Sequence, residues 1–131
     1  NVEKAIANLK KKKLFNVRAL AECSSRELEK AVYSTGFYKQ KAKRVKIIAS
    51  HLLKHYNGNL DEFFARDAML VRKELLSLHG IGRETADSIL LYAGNKPVFV
   101  IDVFGINKSI LVVICICISI LSKDKVYLNS N

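Results

Sequence analysis

The chain has 131 residues, half of them hydrophobic, enough for one domain with its own apolar core and too apolar for a disordered polymer. Its formal net charge of +10 is placed unevenly: residues 1–50 hold 13 Lys/Arg against 4 Asp/Glu, while residues 51–131 hold 9 against 8. A basic first half suits a polyanion such as nucleic acid, which releases counterions as its phosphates are neutralised, although a solubilising surface would give the same composition.

Taken in chain order, the sequence reads as helix after helix. Val2, Ala5, Ile6 and Leu9 recur at helical spacing and lead into a solvated run of four lysines, Lys10 to Lys13. The opening Asn1-Val2-Glu3-Lys4 has no signal-peptide pattern. Ser24 or Ser25 is placed to cap a helix carrying Leu28, Ala31 and Val32, with Glu27 completing a capping box and Gly36 ending the element. The clearest helix is predicted from Lys39 to Tyr56. Ala42, Val45, Ala49, Leu52, Leu53 and Tyr56 share one of its faces, while Lys39, Lys43, Arg44 and Lys46 crowd the other, either as a solvated surface or as phosphate contacts. Asn57-Gly58-Asn59 stops it. Asp61 begins a short turn with Phe63 and Phe64, and further helices are predicted over 68–78 and 83–93. A break at Gly94-Asn95-Lys96-Pro97 precedes the extended run Val98 to Asp102.

The last segment differs in kind. Ile110 to Leu121 is apolar except for Ser119, which predicts a buried helix or strand; it falls short of the roughly twenty residues a bilayer requires. Cys23, Cys115 and Cys117 lack the spacing of a metal site or disulfide framework, and reduced thiols in a cytosolic protein are expected. No metal site is expected.

Leu78-His79-Gly80-Ile81-Gly82 stands between two amphipathic helices, the second carrying Ala86, Ile89, Leu90 and Ala93 on one face. Glycines at 80 and 82 are expected to adopt torsions closed to other residues and to let a phosphate approach the main chain. Ile81 would plug the gap between the helices, and the amide end of the helix from Arg83 would favour an anion. Such a grip holds a backbone phosphate without reading base sequence. An ordinary helix–turn–helix with glycine at its turn is the alternative, and the flanking Leu78-His79 and Arg83-Glu84-Thr85-Ala86-Asp87 make the pattern more specific than Gly-Ile-Gly alone. Asp102 closes the extended run. It could cap the next helix, and a carboxylate held that way could also stabilise positive charge on a sugar or activate water against its anomeric carbon.

With these residues in place, the stretch from Gly80 to Asp102 resembles the helix–hairpin–helix, Gly/Pro loop and aspartate of the endonuclease III superfamily of DNA glycosylases. Gly36-Phe37-Tyr38 with Lys41-Ala42 resembles that family's upstream helix start, and the similarity runs over about 1–104. The resemblance implies an all-α fold: the helical bundle domain of the helix–hairpin–helix glycosylases, incomplete at both ends, with the hairpin unit at about 69–93 and an atypical apolar tail over 105–131. It implies Asp102 as the catalytic acid. DNA contacts are expected from Gly80, Ile81 and Gly82, from the flanking His79, Arg83 and Thr85, and from Lys41. The family flips a damaged base of double-stranded DNA into a pocket. A cytoplasmic, nucleoid-associated monomer without membrane contact is implied.

Three departures qualify what is carried over. The family has a further helix or two before the position of Asn1, which supply core and a residue that fills the space left by the flipped base. Where bifunctional members have a lysine nucleophile, this chain has Glu84, which can form no Schiff base; base removal without strand cleavage is implied. The wording from Gly80 to Leu90 is closest to the 3-methyladenine branch, so an alkylated base is the expected substrate. After Phe104 the sequence leaves the family pattern, and the four cysteines of the iron–sulfur loop found in many members are missing, so no cofactor is expected. A truncated or frame-shifted gene product would account for these ends. A non-catalytic DNA-binding module and an inactive fragment are the competing expectations.

Overall fold

A computed structural model describes residues 2–91 of the chain. The extended run ending at Asp102, the apolar tail, Cys115 and Cys117 lie outside these residues. Among the described residues the structure is all-helical, as the spacing of apolar residues predicts. Its elements are α1 (Val2–Lys11), α2 (Val17–Glu22), α3 (Ser25–Val32) followed by a 3₁₀ turn at Tyr33–Thr35, α4 (Tyr38–Tyr56), α5 (Leu60–Phe64), α6 (Ala68–Leu76) and α7 (Arg83–Ile89).

Local chemistry sets most of the boundaries. Ser24 accepts a hydrogen bond from the Glu27 amide at 3.1 Å, so it is the cap of α3, and Ser25 already lies inside the helix. Asn59 caps α5 in the same way through Glu62 N, at 3.0 Å. That cap makes a helix of a segment whose sequence reads as a turn. α4 ends where Asn57 and Gly58 both take positive φ, 53° and 78°, and the Gly58 amide bonds back to Leu52 O at 2.9 Å.

α2 is not evident from apolar spacing, because six residues offer only Val17 and Leu20 to the core. Two polar residues hold it instead. Asn16 accepts from Ala19 N at 2.8 Å at the start. At the other end Lys46 of α4 donates to Leu20 O (3.3 Å), Ala21 O (2.8 Å) and Cys23 O, satisfying carbonyls that a helix end leaves unpaired.

The core follows from these placements. α2 and α3 pack on α4, and α1 packs on α3. Leu9, Leu20, Leu28, Leu52, Phe63, Leu75 and Ile89 are fully buried, each contributing about 1.5–3 kcal/mol of transfer energy. Ala42, Val45, Ala49 and Leu52 point inward as expected, with Leu53 and Tyr56 half-buried beside them. Cys23 is half-buried with a free thiol, whose pKa burial raises. Among the described residues no helix is long and apolar enough to cross a membrane.

Candidate nucleic-acid interface

The hairpin lies between α6 and α7. Ser77 N bonds Lys73 O and Glu74 O at 3.1 Å, Leu78 N bonds Leu75 O at 3.1 Å, and Ile81 N closes the bend on Leu78 O at 3.1 Å. Gly80 sits within that last turn at φ +85°, a conformation L side chains rarely adopt. Ile81 is buried in the core with Ala86 and Ile89, the plug its position predicts.

Gly82 is a correction to the sequence reading. Its φ and ψ, −88° and 179°, are extended values open to any residue, so torsion does not explain this glycine. What Gly82 shares with Gly80 is open space: a Cβ built at either would meet nothing within 4 Å. Gly82 is the N-cap of α7 and offers no side-chain cap, while its carbonyl accepts Ala86 N at 2.9 Å. Gly82, Arg83 and Glu84 are all exposed, so the amide end of α7 is at the surface. His79 is exposed beside Gly80.

Two of the expected DNA contacts are placed differently. The Thr85 side chain is only 3% exposed, which leaves its main chain as the part that can face a ligand. Lys41 is entirely buried, and its Nζ donates to Thr35 O at 2.7 Å. It joins the start of α4 to the preceding 3₁₀ turn and presents no charge to a phosphate. Lys41→Met is therefore expected to leave the salt dependence of duplex binding unchanged even where stability falls; a shallower slope of log K on log salt would return Lys41 to the interface.

The basic face of α4 also divides. Lys39 and Lys43 are exposed, whereas Lys46 is committed to the end of α2. Arg44 is half-buried, its Nη1 shielded from solvent. Gln40, Lys43, Arg44 and Ile47 form one wall of a cleft closed on the other side by His79 and Gly80. The first half of α4 thus stands beside the hairpin.

Polar braces hold the hairpin in place. Arg72 Nε of α6 donates to Asp87 Oδ1 of α7 at 2.7 Å, and this bond lowers the Asp87 pKa. Deeper, Glu74 of α6 accepts from Arg66 Nη1 (2.6 Å) and Tyr56 OH (2.8 and 2.9 Å), and its Oε2 lies 2.5 Å from His51 Nε2. Arg66 also donates to Tyr56 OH. Burial alone would raise the Glu74 pKa, but the hydrogen bonds from Arg66, His51 and Tyr56 outweigh it and bring the pKa down to about 2. The cluster fastens α6, and with it one arm of the hairpin, to α4. Among the described residues no group of three or more His, Cys, Asp or Glu is arranged to hold a metal ion.

Phe37 is marked by the sequence only as part of the Gly36-Phe37-Tyr38 helix start and is assigned no role of its own. It is 66% exposed and occupies a left-handed conformation, φ 46° and ψ 37°, immediately before α4. A phenylalanine kept at the surface on an uncommon backbone is a signal no apolar periodicity reports.

A profile of the HhH-GPD superfamily base excision DNA repair proteins matches residues 1–104, most of the chain and all of the described helices. The chain belongs to that family. HhH-GPD relatives include a provisionally named DNA repair glycosylase of Methanocaldococcus jannaschii, 41% identical over 106 residues, which cover 79% of this chain and 48% of that protein. Endonuclease III of Thermotoga maritima is 33% identical over 106 residues, covering 78% and 44%. Endonuclease III of Bacillus subtilis is 32% identical over 76 residues, covering 58% and 31%. The chain thus spans about half the length, or less, of these relatives. No solved structure gives a significant match. Within the HhH-GPD family the hairpin at Gly80–Gly82 and the α4 helix beside it are the parts of this chain that the described residues lay out; Asp102 falls within the matched range but outside the described residues.

Proposed function

We propose that this chain serves a DNA glycosylase that removes an alkylated base from duplex DNA by hydrolysing its N-glycosidic bond, without cleaving the strand. The observation that carries the reading is the open main chain at Gly80 and Gly82, set at the exposed amide end of α7, in a member of a base excision repair family. Relatives whose names describe a DNA repair glycosylase and endonuclease III support DNA as the substrate.

In this reading the hairpin amides hold a backbone phosphate and fix the strand's register. Phe37, exposed on a constrained backbone before α4, is the kind of apolar side chain that can enter a base stack and hold a gap open. In this role the Asp102 carboxylate stabilises the positive charge that develops on the deoxyribose as the bond to the base breaks, or takes a proton from the attacking water. Glu84, exposed in the first turn of α7, offers no amine for a Schiff base, which supports hydrolysis alone.

The test is an assay of base release from a duplex with one alkylated purine. The expected result is free base and an abasic site in an intact strand, with release lost in Asp102→Asn. Release that persists in Asp102→Asn would remove the aspartate from the mechanism, and duplex binding with no release at all would leave a non-catalytic DNA-binding module.

A further inference from the structure

We propose that the cleft between α4 and the hairpin seats a second phosphate of the DNA backbone, next to the one held by the hairpin amides. The proposal rests on the glycosylase reading and adds a site to it. The cleft encloses about 260 Å³ between Gln40, Lys43, Arg44 and Ile47 on one side and His79 and Gly80 on the other.

Charge is the first argument. Two of the six lining residues are cationic and none is acidic. A larger cleft of about 630 Å³ lies along the same helix, but it includes Glu29 among its lysines, and one of those, Lys46, is bonded to the end of α2. The smaller cleft therefore has the more uniform field for an anion.

The second argument is an unmet hydrogen-bond donor. Arg44 Nη1 is buried and has no hydrogen-bond partner among the described residues. A guanidinium N–H shielded from water calls for an acceptor, and the guanidinium fork matches the paired oxygens of a phosphodiester. Arg44 lines the cleft, so a turn of its guanidinium that brings Nη1 out of its buried position would pair it with a phosphate seated there, beside the exposed Lys43.

Position is the third. His79 and Gly80 belong both to this cleft and to the outer side of the hairpin, where a Cβ at Gly80 would meet nothing within 4 Å. An anion in the cleft and an anion over the hairpin are thus neighbours along one path, as successive phosphates of a strand are. The seat would couple the first half of α4 to the hairpin through the bound strand.

The experiment measures binding of the full chain to a short duplex by fluorescence anisotropy over a salt series. Arg44→Ala is expected to weaken binding about 5- to 20-fold near 100 mM salt and to reduce the slope of log K on log salt by about one, the value of one lost phosphate contact. Lys43→Glu, at an exposed position, places a carboxylate in the cleft and should weaken binding at least as much, which keeps the test intact if the arginine variant folds poorly. Unchanged affinity and slope in Lys43→Glu, or in a folded Arg44→Ala, overturns the seat.

Gly82→Val separates the two levels of argument. If it loses binding while the cleft variants do not, the seat falls and the glycosylase reading stands. If the parent chain does not bind duplex, both fall. Inorganic phosphate, followed through the His79 ring signals by NMR, distinguishes the source of the anion. Weak, non-saturating perturbation is expected, whereas saturable binding below millimolar phosphate without DNA would mark a free-anion site and overturn the assignment to a DNA backbone.

Discussion

Gly80→Val is expected to reduce duplex affinity by about 10- to 100-fold and to destabilise the fold as well. A side chain at φ +85° is strained whatever space surrounds it, by roughly 1–3 kcal/mol, and a β-branched residue is at the high end. The hairpin can relieve that strain only by leaving the turn that Ile81 N closes on Leu78 O, and each 1.4 kcal/mol so diverted is tenfold in affinity. Gly82→Val is the informative partner. Its backbone is extended and its surroundings are open, so its cost in stability should be confined to the exchange of a glycine N-cap for a valine, about 1 kcal/mol or less. Its duplex affinity should nevertheless fall by about tenfold or more, because the added isopropyl group stands where a phosphate would approach the amides. Gly80→Asn, which tolerates positive φ, should recover much of the stability lost in the valine variant. Wild-type affinity in Gly82→Val at matched salt would show that no phosphate comes close there.

Glu74→Ala is expected to cost on the order of 2–3 kcal/mol of stability, somewhat less than the about 3–5 kcal/mol of a fully buried pair because the carboxylate keeps about a fifth of its side-chain surface exposed. The loss would loosen α6 from α4 and leave Arg66 and His51 without the carboxylate they share. Acid denaturation reads the same cluster. The Glu74 pKa is lowered from 4.5 to about 2 in the folded chain, so its contribution is fully present above about pH 5 and drains away as pH falls towards 2. That span corresponds to ~3 kcal/mol of pH-dependent stability at about 1.36 kcal/mol per unit. Glu74→Gln should flatten the acid limb of the stability curve, as measured by urea unfolding at a series of pH values. Parallel limbs in the two proteins would show that other carboxylates set the acid response.

Much of the helical framework was legible because it is locally encoded. Ser24 and the apolar spacing of Leu28, Ala31 and Val32 define α3 with no help from the rest of the chain. The long helix α4 announced itself through its buried stripe and its Asn-Gly stop. The hairpin was legible for a related reason: a two-glycine bend with an aliphatic residue between is a local pattern, and Ile81 does turn inward. α2 was hidden, since six residues carry too little periodicity and its end is secured by Lys46, 23 to 26 residues away.

By itself, then, the sequence determined the helical class, the basic first half and the place of the hairpin, because composition, short-range spacing and glycine chemistry act within a turn or two of the chain. The roles of the charged residues were decided only in three dimensions. The sequence points to Lys41 as a DNA contact, puts Lys46 on a basic face and singles out nothing at Glu74. Yet Lys41 is sealed beneath the start of α4, Lys46 caps another helix, and Glu74 gathers Arg66, Tyr56 and His51 around a carboxylate. A helical period assigns a residue to a side of its own helix; which side is then covered, and by whose carbonyl or carboxylate, depends on partners brought together by packing.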